Sequence, residues 1–140
     1  PPSAFSGSWA STEDESVLEP GQVLHGLGVS GGRVKGRVRI VDQNTIDDLL
    51  PGEVLVAEAT DVGYTPAFAY AAAVVTNIGG PMSHAAIVAR EFGVTCVVDA
   101  RNATLRLPDC AMVEIDGSTG EIRLLEAAVN DGSDTTSGTT

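Results

Sequence analysis

The chain has 140 residues, 43% of them hydrophobic, and 19 acidic against 8 basic residues give it a formal net charge of −11. This length suits one domain with a modest core, and no apolar run approaches the ~20 residues that a membrane-spanning helix needs. The acidic balance, without a clustered basic face, excludes a nucleic-acid-binding surface, while two cysteines, Cys96 and Cys110, are too few for a disulfide framework and favour a reduced protein of the cytoplasm.

The two ends of the chain differ in composition from its middle. Residues 1–20 contain four acidic side chains and no basic one, in a polar segment rich in Pro, Ser and Gly. The segment after residue 126 is also acidic and ends in Gly, Ser and Thr. We therefore expect a disordered acidic linker over 1–20, one folded domain over 21–126 and a disordered tail over 127–140.

The first two predicted elements are strands separated by glycines. Near-alternating valines in QVLHGLGVSGG (22–32) and RVKGRVRIVD (33–42) predict two strands joined by a turn. Residues 26–31, GLGVSG, match the dinucleotide-binding pattern G-x-G-x-x-G, but a strand follows them where that site requires a helix. We therefore interpret the glycines as a turn or bulge between antiparallel strands. His25, just before them, has no second ligand nearby and is expected at the surface.

Strands and helices alternate through the middle of the chain. Residues 44–52 predict one helical turn and residues 53–60 a strand. In YTPAFAYAAA (64–73), Thr65 as N-cap and Pro66 as first helical residue predict a helix. Three further segments complete the pattern: a buried strand VVT (74–76), a strand TCVVDA (95–100) and a hairpin AMVEIDGSTGEIRLL (111–125). Alternation in the middle, with hairpins at both ends, predicts an α/β domain with a mixed sheet.

The segment TNIGGPMSHAAIVAREFG (76–93) combines a tight turn with an amphipathic helix. Gly79 and Gly80 allow a sharp turn after a buried strand, and Pro81 fits the first turn of a helix. The apolar residues Ala85, Val88, Ala89 and Phe92 form one stripe on that helix, and Gly93 is placed to end it. This segment should therefore pack closely against the sheet.

His84 lies one position off this stripe, near the end of the first helical turn. Helical side chains lean towards the N-terminus, where unpaired backbone N–H groups make a helix end suited to binding phosphate. An imidazole nitrogen at that place could accept a phosphoryl group. On the residues alone, an ordinary hydrogen-bonded or surface histidine is the more frequent explanation. No second histidine or spaced cysteine supports a metal site, and Ser83, adjacent in sequence, suits a phosphate donor or first-turn cap better than a hydrolase nucleophile.

The segment GGPMSHAAIVAREFGV (79–94) closely resembles the phosphohistidine motif of the mobile, or swivelling, domain of phosphoenolpyruvate-utilising enzymes. That family includes pyruvate phosphate dikinase, phosphoenolpyruvate synthase, enzyme I of the sugar phosphotransferase system and rifampicin phosphotransferase. Residues 26–40, 49–68 and 112–125 are similar to the family's opening strands, middle and closing hairpin, so that the resemblance covers roughly residues 22–125.

The resemblance implies a three-layer β/β/α swivelling domain in which His84 is phosphorylated during a catalytic cycle. Gly79 and Gly80 would form the loop that lets phosphates approach, and Arg90 and Glu91 would be structural or docking residues. This domain would bind no metal or cofactor of its own. Mg²⁺, with ATP or phosphoenolpyruvate, would be held by a nucleotide-binding (ATP-grasp-like) domain and a phosphoenolpyruvate or other acceptor domain, in the same chain or as separate subunits.

Two residues depart from the family pattern. Met82 stands where dikinases commonly have threonine, which is more similar to rifampicin phosphotransferase. Asp99 stands where a glycine is usual. The alternative to a phosphoryl carrier is a swivelling docking module that is not phosphorylated. We expect the isolated domain to be inactive alone.

Overall fold

The computed structural model describes residues 17–127, so the predictions of disorder for the ends concern residues that lie largely outside the described part. The proposed boundaries near residues 20 and 126 remain predictions. Leu18 is buried, and its backbone N–H donates to the carbonyl oxygen of Arg106 at 2.8 Å. No helix within 17–127 has the length and apolar character needed to cross a membrane.

Eight strands and three short helices make up the described part of the chain. The strands are β1 Val23–His25, β2 Leu27–Ser30, β3 Arg33–Ile40, β4 Val54–Ala57, β5 Ala73–Thr76, β6 Thr95–Val98, β7 Met112–Asp116 and β8 Glu121–Glu126. The α-helices are α1 Thr65–Phe68, α2 His84–Phe92 and α3 Ala103–Arg106, and two 3-10 turns span Ile46–Asp48 and Val62–Tyr64. Of these elements, α3 and the 3-10 turn Val62–Tyr64 have no counterpart among the sequence predictions.

The strands form one hydrogen-bonded series in the order β1-β8-β7-β3-β4-β5-β6-β2. Strand β3 connects its two halves: residues 33–37 pair antiparallel with β7, and residues 38–40 pair parallel with β4. Strands β4, β5 and β6 are parallel, and β2 closes the edge antiparallel to β6. The predicted mixed sheet and α/β class are confirmed.

The strand series folds into two layers, and the helices form a third. Along β4, Val54 and Val56 face the cluster between the two sheet layers, whereas Leu55 and Ala57 face the helices. Burial on both faces explains why β4, β5 and β6 are continuous apolar runs rather than alternating ones. The cluster between the layers also contains Val38, Val75, Val97, Val113, Ile115, Ile122 and Leu124; the helix-side cluster contains Phe68, Val74, Ala85, Val88, Ala89 and Val98. The three-layer β/β/α arrangement is thereby confirmed.

The predicted N-terminal hairpin is wrong, whereas the C-terminal one is confirmed. Strand β1 pairs with β8 and β2 with β6, so the chain crosses from one layer to the other at Gly26. A Cβ on Gly26 would lie 2.6 Å from Val97 Cγ1 and 2.7 Å from the Val98 carbonyl oxygen, so only glycine permits this crossing. A register shift between Gly28 and Ser30 marks a bulge, but it lies within β2, in its antiparallel pairing with β6, rather than between the two predicted strands.

Both predicted helix starts are displaced. Thr65 is the first residue of α1 rather than its N-cap, because Asp61 already begins a 3-10 turn by accepting from the Gly63 N–H at 2.9 Å. Helix α2 begins at His84 rather than at Pro81. Pro81 instead occupies a β-turn in which the Ser83 N–H donates to the Gly80 carbonyl at 3.1 Å.

Candidate functional site

The residues singled out from the sequence converge on the carboxyl edge of the parallel strands. The loops after β4, β5 and β6 lie side by side there and are joined by backbone hydrogen bonds. The Asn77 N–H donates to the Ala57 carbonyl at 3.1 Å, and the Ala100 N–H donates to the Thr76 carbonyl at 3.0 Å. These bonds continue the sheet past the ends of the strands and give the loop before α2 a fixed base.

Gly79 and Gly80 have different roles in that loop. Gly79 has a φ of 145°, and a Cβ there would lie 3.0 Å from Ser83 Oγ and 3.2 Å from Val98 Cβ. A Cβ on Gly80 would meet nothing within 4 Å. Gly79 is thus required by backbone conformation and close packing, whereas Gly80 faces open space on the outer side of the turn.

Ser83 is the N-cap residue of α2 by its backbone, with φ −70° and ψ 163°. Its hydroxyl makes no capping hydrogen bond to the helix. It donates instead to the Gly80 carbonyl oxygen at 2.8 Å, alongside the backbone bond from the Ser83 N–H. Ser83 therefore holds the turn closed in this structure.

The His84 imidazole is half-buried at the first position of α2 and is contacted on three sides. Its Nδ1 lies 2.8 Å from Thr60 Oγ1, and its Nε2 lies 3.4 Å from Thr65 Oγ1. The ring packs edge-on against Phe68, with centroids 6.1 Å apart and an interplanar angle of 82°. The ring is thus fixed in orientation, with a hydroxyl beside each nitrogen.

Thr60 and Phe68 were missed as site residues in the sequence, and Thr65 was predicted only as a helix cap. Thr60 follows β4, Thr65 and Phe68 belong to α1, and His84 follows β5. These residues could have been predicted from their positions after parallel strands, since side chains at the carboxyl ends of neighbouring parallel strands meet at one edge of the sheet. Single-sequence patterns give no indication of which hydroxyl reaches which nitrogen.

A buried amide also ties the loops together and was not predicted. Asn77, 8% exposed, donates from Nδ2 to Glu58 Oε1 at 2.7 Å and to Thr104 Oγ1 at 2.9 Å. Its Oδ1 accepts from the Thr104 N–H at 3.2 Å. Asn77 thus links the loop before Thr60 to the start of α3.

Arg90 and Glu91 do not reach the imidazole. Arg90 donates from Nε to the Val29 carbonyl at 2.9 Å and from Nη1 to the Pro81 carbonyl at 2.7 Å, which joins α2 to β2 and to the turn before His84. Glu91 is exposed on the helix. Met82 is 77% exposed beside the turn, so that its side chain faces solvent rather than the core.

Asp99, the second departure from the family pattern, has a left-handed backbone with φ 53°. Arg101 and Asn102 have φ values of 47° and 58°, so three of the four residues in this loop are left-handed without being glycine. Asp99 and Arg101 form an exposed ion pair at 3.4 Å, an arrangement that contributes little to stability. A left-handed position explains why glycine suits position 99.

No metal centre is present among residues 17–127, since no three His, Cys, Asp or Glu side chains lie close enough together. His25 is exposed and lies 3.6 Å from Glu121, so the two histidines do not share a site. A depression of about 770 Å³ is lined by residues that include Lys35 and Glu126, and one of about 490 Å³ by residues that include Thr60. His84 lines neither of these depressions.

The model of the family described as "PEP-utilising enzyme, mobile domain" matches residues 49–120, which is 72 of the 140 residues. The chain belongs to this family. The matched range contains Thr60, Thr65 and the whole segment from Gly79 to His84. The glycine turn and the histidine therefore lie within the mobile domain itself.

Curated relatives are much longer than this mobile domain. The chain is 65% identical over 133 residues to an uncharacterised protein of Mycobacterium tuberculosis, with 94% of this chain and 16% of that protein covered. It is 44% identical to phosphoenolpyruvate synthase of Pyrococcus furiosus (77% and 13% covered) and 41% identical to rifampicin phosphotransferase of a Streptomyces species (76% and 12% covered). The chain thus spans about a sixth or less of their lengths.

Solved structures agree on the fold. A solution structure of Enzyme I aligns with a TM-score of 0.50 and 27% identity, covering 56% of this chain and 33% of that one. A chain of aconitase X from Thermococcus kodakaraensis aligns with a TM-score of 0.59 and 20% identity, covering 76% of this chain and all of that one. The second likeness concerns the fold alone.

Proposed function

We propose that this mobile domain is a phosphoryl carrier in which His84 is transiently phosphorylated. The observation that carries the proposal is the His84 ring, which is oriented by Thr60, Thr65 and Phe68 at the N-terminus of the nine-residue helix α2. The first N–H groups of a helix have no partner within it, and the helix dipole is positive there, so this end favours a phosphoryl group on the ring.

The open space next to Gly80 supports the same role. Phosphoryl transfer requires the donor, the phosphorus atom and the acceptor nitrogen to approach closely and in line. A Cβ on Gly80 would touch no atom of this domain, so the glycine leaves free the outer side of the turn that leads into α2. A donor bound to another domain could approach His84 from that side.

The donor and the acceptor belong to other domains in this proposal. A nucleotide-binding, ATP-grasp-like domain with Mg²⁺ would phosphorylate His84, and a phosphoenolpyruvate/pyruvate or other acceptor site would receive the phosphoryl group. The names of two relatives, a phosphoenolpyruvate synthase and a rifampicin phosphotransferase, support an enzyme of this kind, with the dikinases as a further type. A cytoplasmic location is part of the proposal, since Cys96 and Cys110 are free thiols.

The test is phosphorylation by ³²P-labelled ATP or phosphoenolpyruvate of the chain together with its nucleotide-binding and acceptor domains. We expect an acid-labile, alkali-stable label that His84→Ala lacks. His25→Ala is the matched control, because His25 is the other histidine of the chain and is exposed on β1. Label in the His84→Ala variant would refute the carrier role.

The alternative is a docking module that is never phosphorylated. Asp99, which stands in the neighbouring loop where a glycine is usual in the family, is the observation that favours it. It predicts no label from either donor, together with unchanged binding of partner domains by the His84→Ala variant. Binding measured by calorimetry alongside the labelling distinguishes the two functions.

A further inference from the structure

We infer that Thr60 and Thr65 are the positioning residues of the His84 ring, one hydroxyl accepting a hydrogen bond at Nδ1 and the other donating one at Nε2. Thr60 accepts the Nδ1 proton and so leaves the lone pair on Nε2. Thr65 donates its hydroxyl to Nε2 in the resting ring and turns to the phosphoryl oxygens once Nε2 is phosphorylated. This inference rests on the proposed function.

We place the proton of the neutral ring on Nδ1, because Nδ1 makes the shorter of the two contacts and the weakly engaged Nε2 is then left for phosphoryl transfer. Thr60 Oγ1 and Nδ1 are 2.8 Å apart, well within hydrogen-bonding distance. A neutral imidazole carries its proton on one nitrogen, and the partner of that nitrogen selects which one. Thr60 is half-buried and lies directly after β4 in a loop that Asn77 holds through Glu58, so its hydroxyl is held beside Nδ1, where it can accept that proton.

The longer contact leaves Nε2 only weakly engaged. Thr65 Oγ1 lies 3.4 Å from Nε2, at the outer limit for a hydrogen bond. A phosphorus atom cannot bond to Nε2 while this hydroxyl lies along its lone pair, so Thr65 must move. Threonine in a helix populates two χ1 rotamers, and rotation about this bond would carry the hydroxyl from Nε2 towards the oxygens of the attached group.

Phosphoryl transfer to the ring forms one bond and breaks another. The Nε2 lone pair forms the N–P bond while the bond between phosphorus and the donor's bridging oxygen breaks, and its electron pair leaves with that oxygen. The donor is a nucleoside triphosphate or phosphoenolpyruvate. Nδ1 keeps its proton, so the phosphorylated ring is cationic and its bond to Thr60 is charge-assisted. When an acceptor takes the phosphoryl group, the N–P electron pair returns to Nε2 and the ring is restored.

The first measurement needs no phosphoryl transfer. In the full chain carrying His25→Ala, long-range ¹H–¹⁵N spectra report His84 alone. We expect the neutral form of the ring to be protonated on Nδ1 in this background, with a mixture of tautomers in Thr60→Val and recovery of the Nδ1–H form in Thr60→Ser. Protonation mainly on Nε2 in the parent, or an unchanged spectrum in Thr60→Val, would overturn the role of Thr60.

The second measurement is the labelling rate with the partner domains present. Loss of a hydrogen bond that orients a histidine lowers activity by about 10- to 100-fold at metal sites, and we expect a loss of that size in Thr60→Val, with rescue by Thr60→Ser. Thr65→Val should leave the tautomer unchanged but shorten the lifetime of the phosphorylated ring. Thr119→Val, in the exposed turn before β8, is the matched control.

The outcomes separate this inference from the proposed function. A wild-type chain that takes no label contradicts the carrier function. Full labelling of the wild type and of Thr60→Val at equal rates contradicts the positioning role and leaves the carrier function intact. A phosphorylated ring of equal lifetime in wild type and Thr65→Val contradicts the role of Thr65.

Discussion

Two neighbouring loops at the carboxyl edge of the sheet both contain positive-φ backbone, but they place different residues there. The loop from Ile78 to Ser83 follows β5 and leads into α2, and the loop from Asp99 to Asn102 follows β6 and leads into α3. The first places a glycine at its positive-φ position, Gly79, whereas the second has three left-handed residues that all carry side chains.

The difference lies in what a side chain would meet. At Gly79 a Cβ would lie 3.0 Å from Ser83 Oγ and 3.2 Å from Val98 Cβ, so tight packing adds to the unfavourable φ of 145°. In the second loop the Arg101 side chain is exposed and Asp99 is half-buried, so only the backbone conformation is unfavourable there. Glycine thus lies where the loop packs tightly against Ser83 and Val98, and in the other loop the left-handed backbone costs of order 1–3 kcal/mol per residue.

The largest effect on stability is expected from Gly79→Ala. The unfavourable φ and the contacts with Ser83 and Val98 together should lower the free energy of unfolding by about 2 kcal/mol or more. Urea denaturation measures it. Gly80→Ala is the matched control, expected within about 0.5 kcal/mol of wild type because it meets open space. Equal destabilisation by both substitutions would contradict the distinction between the two glycines.

Asn77→Ala should have the next largest effect, because it removes the link between the loops. The substitution leaves Thr104 and Glu58 without their amide partner, and losing such a buried group costs about 1–3 kcal/mol. Thermal and urea unfolding measure the change against Asn44→Ala, whose side chain is exposed. A loss no greater than that of Asn44→Ala would show that the three hydrogen bonds do not stabilise this edge.

Substitutions in the second loop should stabilise the protein slightly. Asp99→Gly and Arg101→Gly each relieve a left-handed residue and each remove the same exposed ion pair. Asp tolerates this conformation better than Arg, so Arg101→Gly should gain more, up to about 1 kcal/mol, and Asp99→Gly less. The two unfolding midpoints give the comparison, and a larger gain for Asp99→Gly would contradict the strain argument.

The smallest expected effect is on the reactivity of Cys96, which lies on strand β6 beneath both loops. Burial raises the pKa of the Cys96 thiol to about 12, against the opposing influence of Arg90, whereas Cys110 is only half-buried. At about pH 8 Cys96 should stay protonated and react with thiol reagents more slowly than Cys110. The stability that follows from the raised pKa is complete below the ordinary value of 9.0 and is lost as the pH rises towards about 12.

Alkylation followed by mass spectrometry measures both thiols in one sample. In the denatured chain the two cysteines should react at similar rates, which provides the control. Faster modification of Cys96 in Gly79→Ala, but not in Asp99→Gly, would show that the tight loop keeps this part of the sheet closed. Equal rates for Cys96 and Cys110 in the native wild type would contradict the burial of Cys96.

Local sequence determined the elements whose causes lie within a few residues. The apolar spacing of Ala85, Val88 and Ala89 fixed the buried face of α2, and Gly93, with a φ of 71°, ends that helix as predicted. The wrong helix start had a local cause as well. Pro81 suits both a first helical turn and a β-turn, and only the bond from Ser83 to Gly80 selects the turn.

Tertiary structure decided the pairing of distant segments and the contacts of the ring. Strand β3 is shared by two layers, because it pairs with β4 in one and with β7 in the other. The chain crosses between the layers at Gly26, where segments far away in sequence leave no room for a side chain. Thr60 and Thr65 lie 24 and 19 residues from His84 and meet it only because β4 and β5 run parallel. The sequence by itself pointed to His84 and its helix; the sheet brought the hydroxyls to its two nitrogens, since side-chain contacts across strands depend on register rather than on local periodicity.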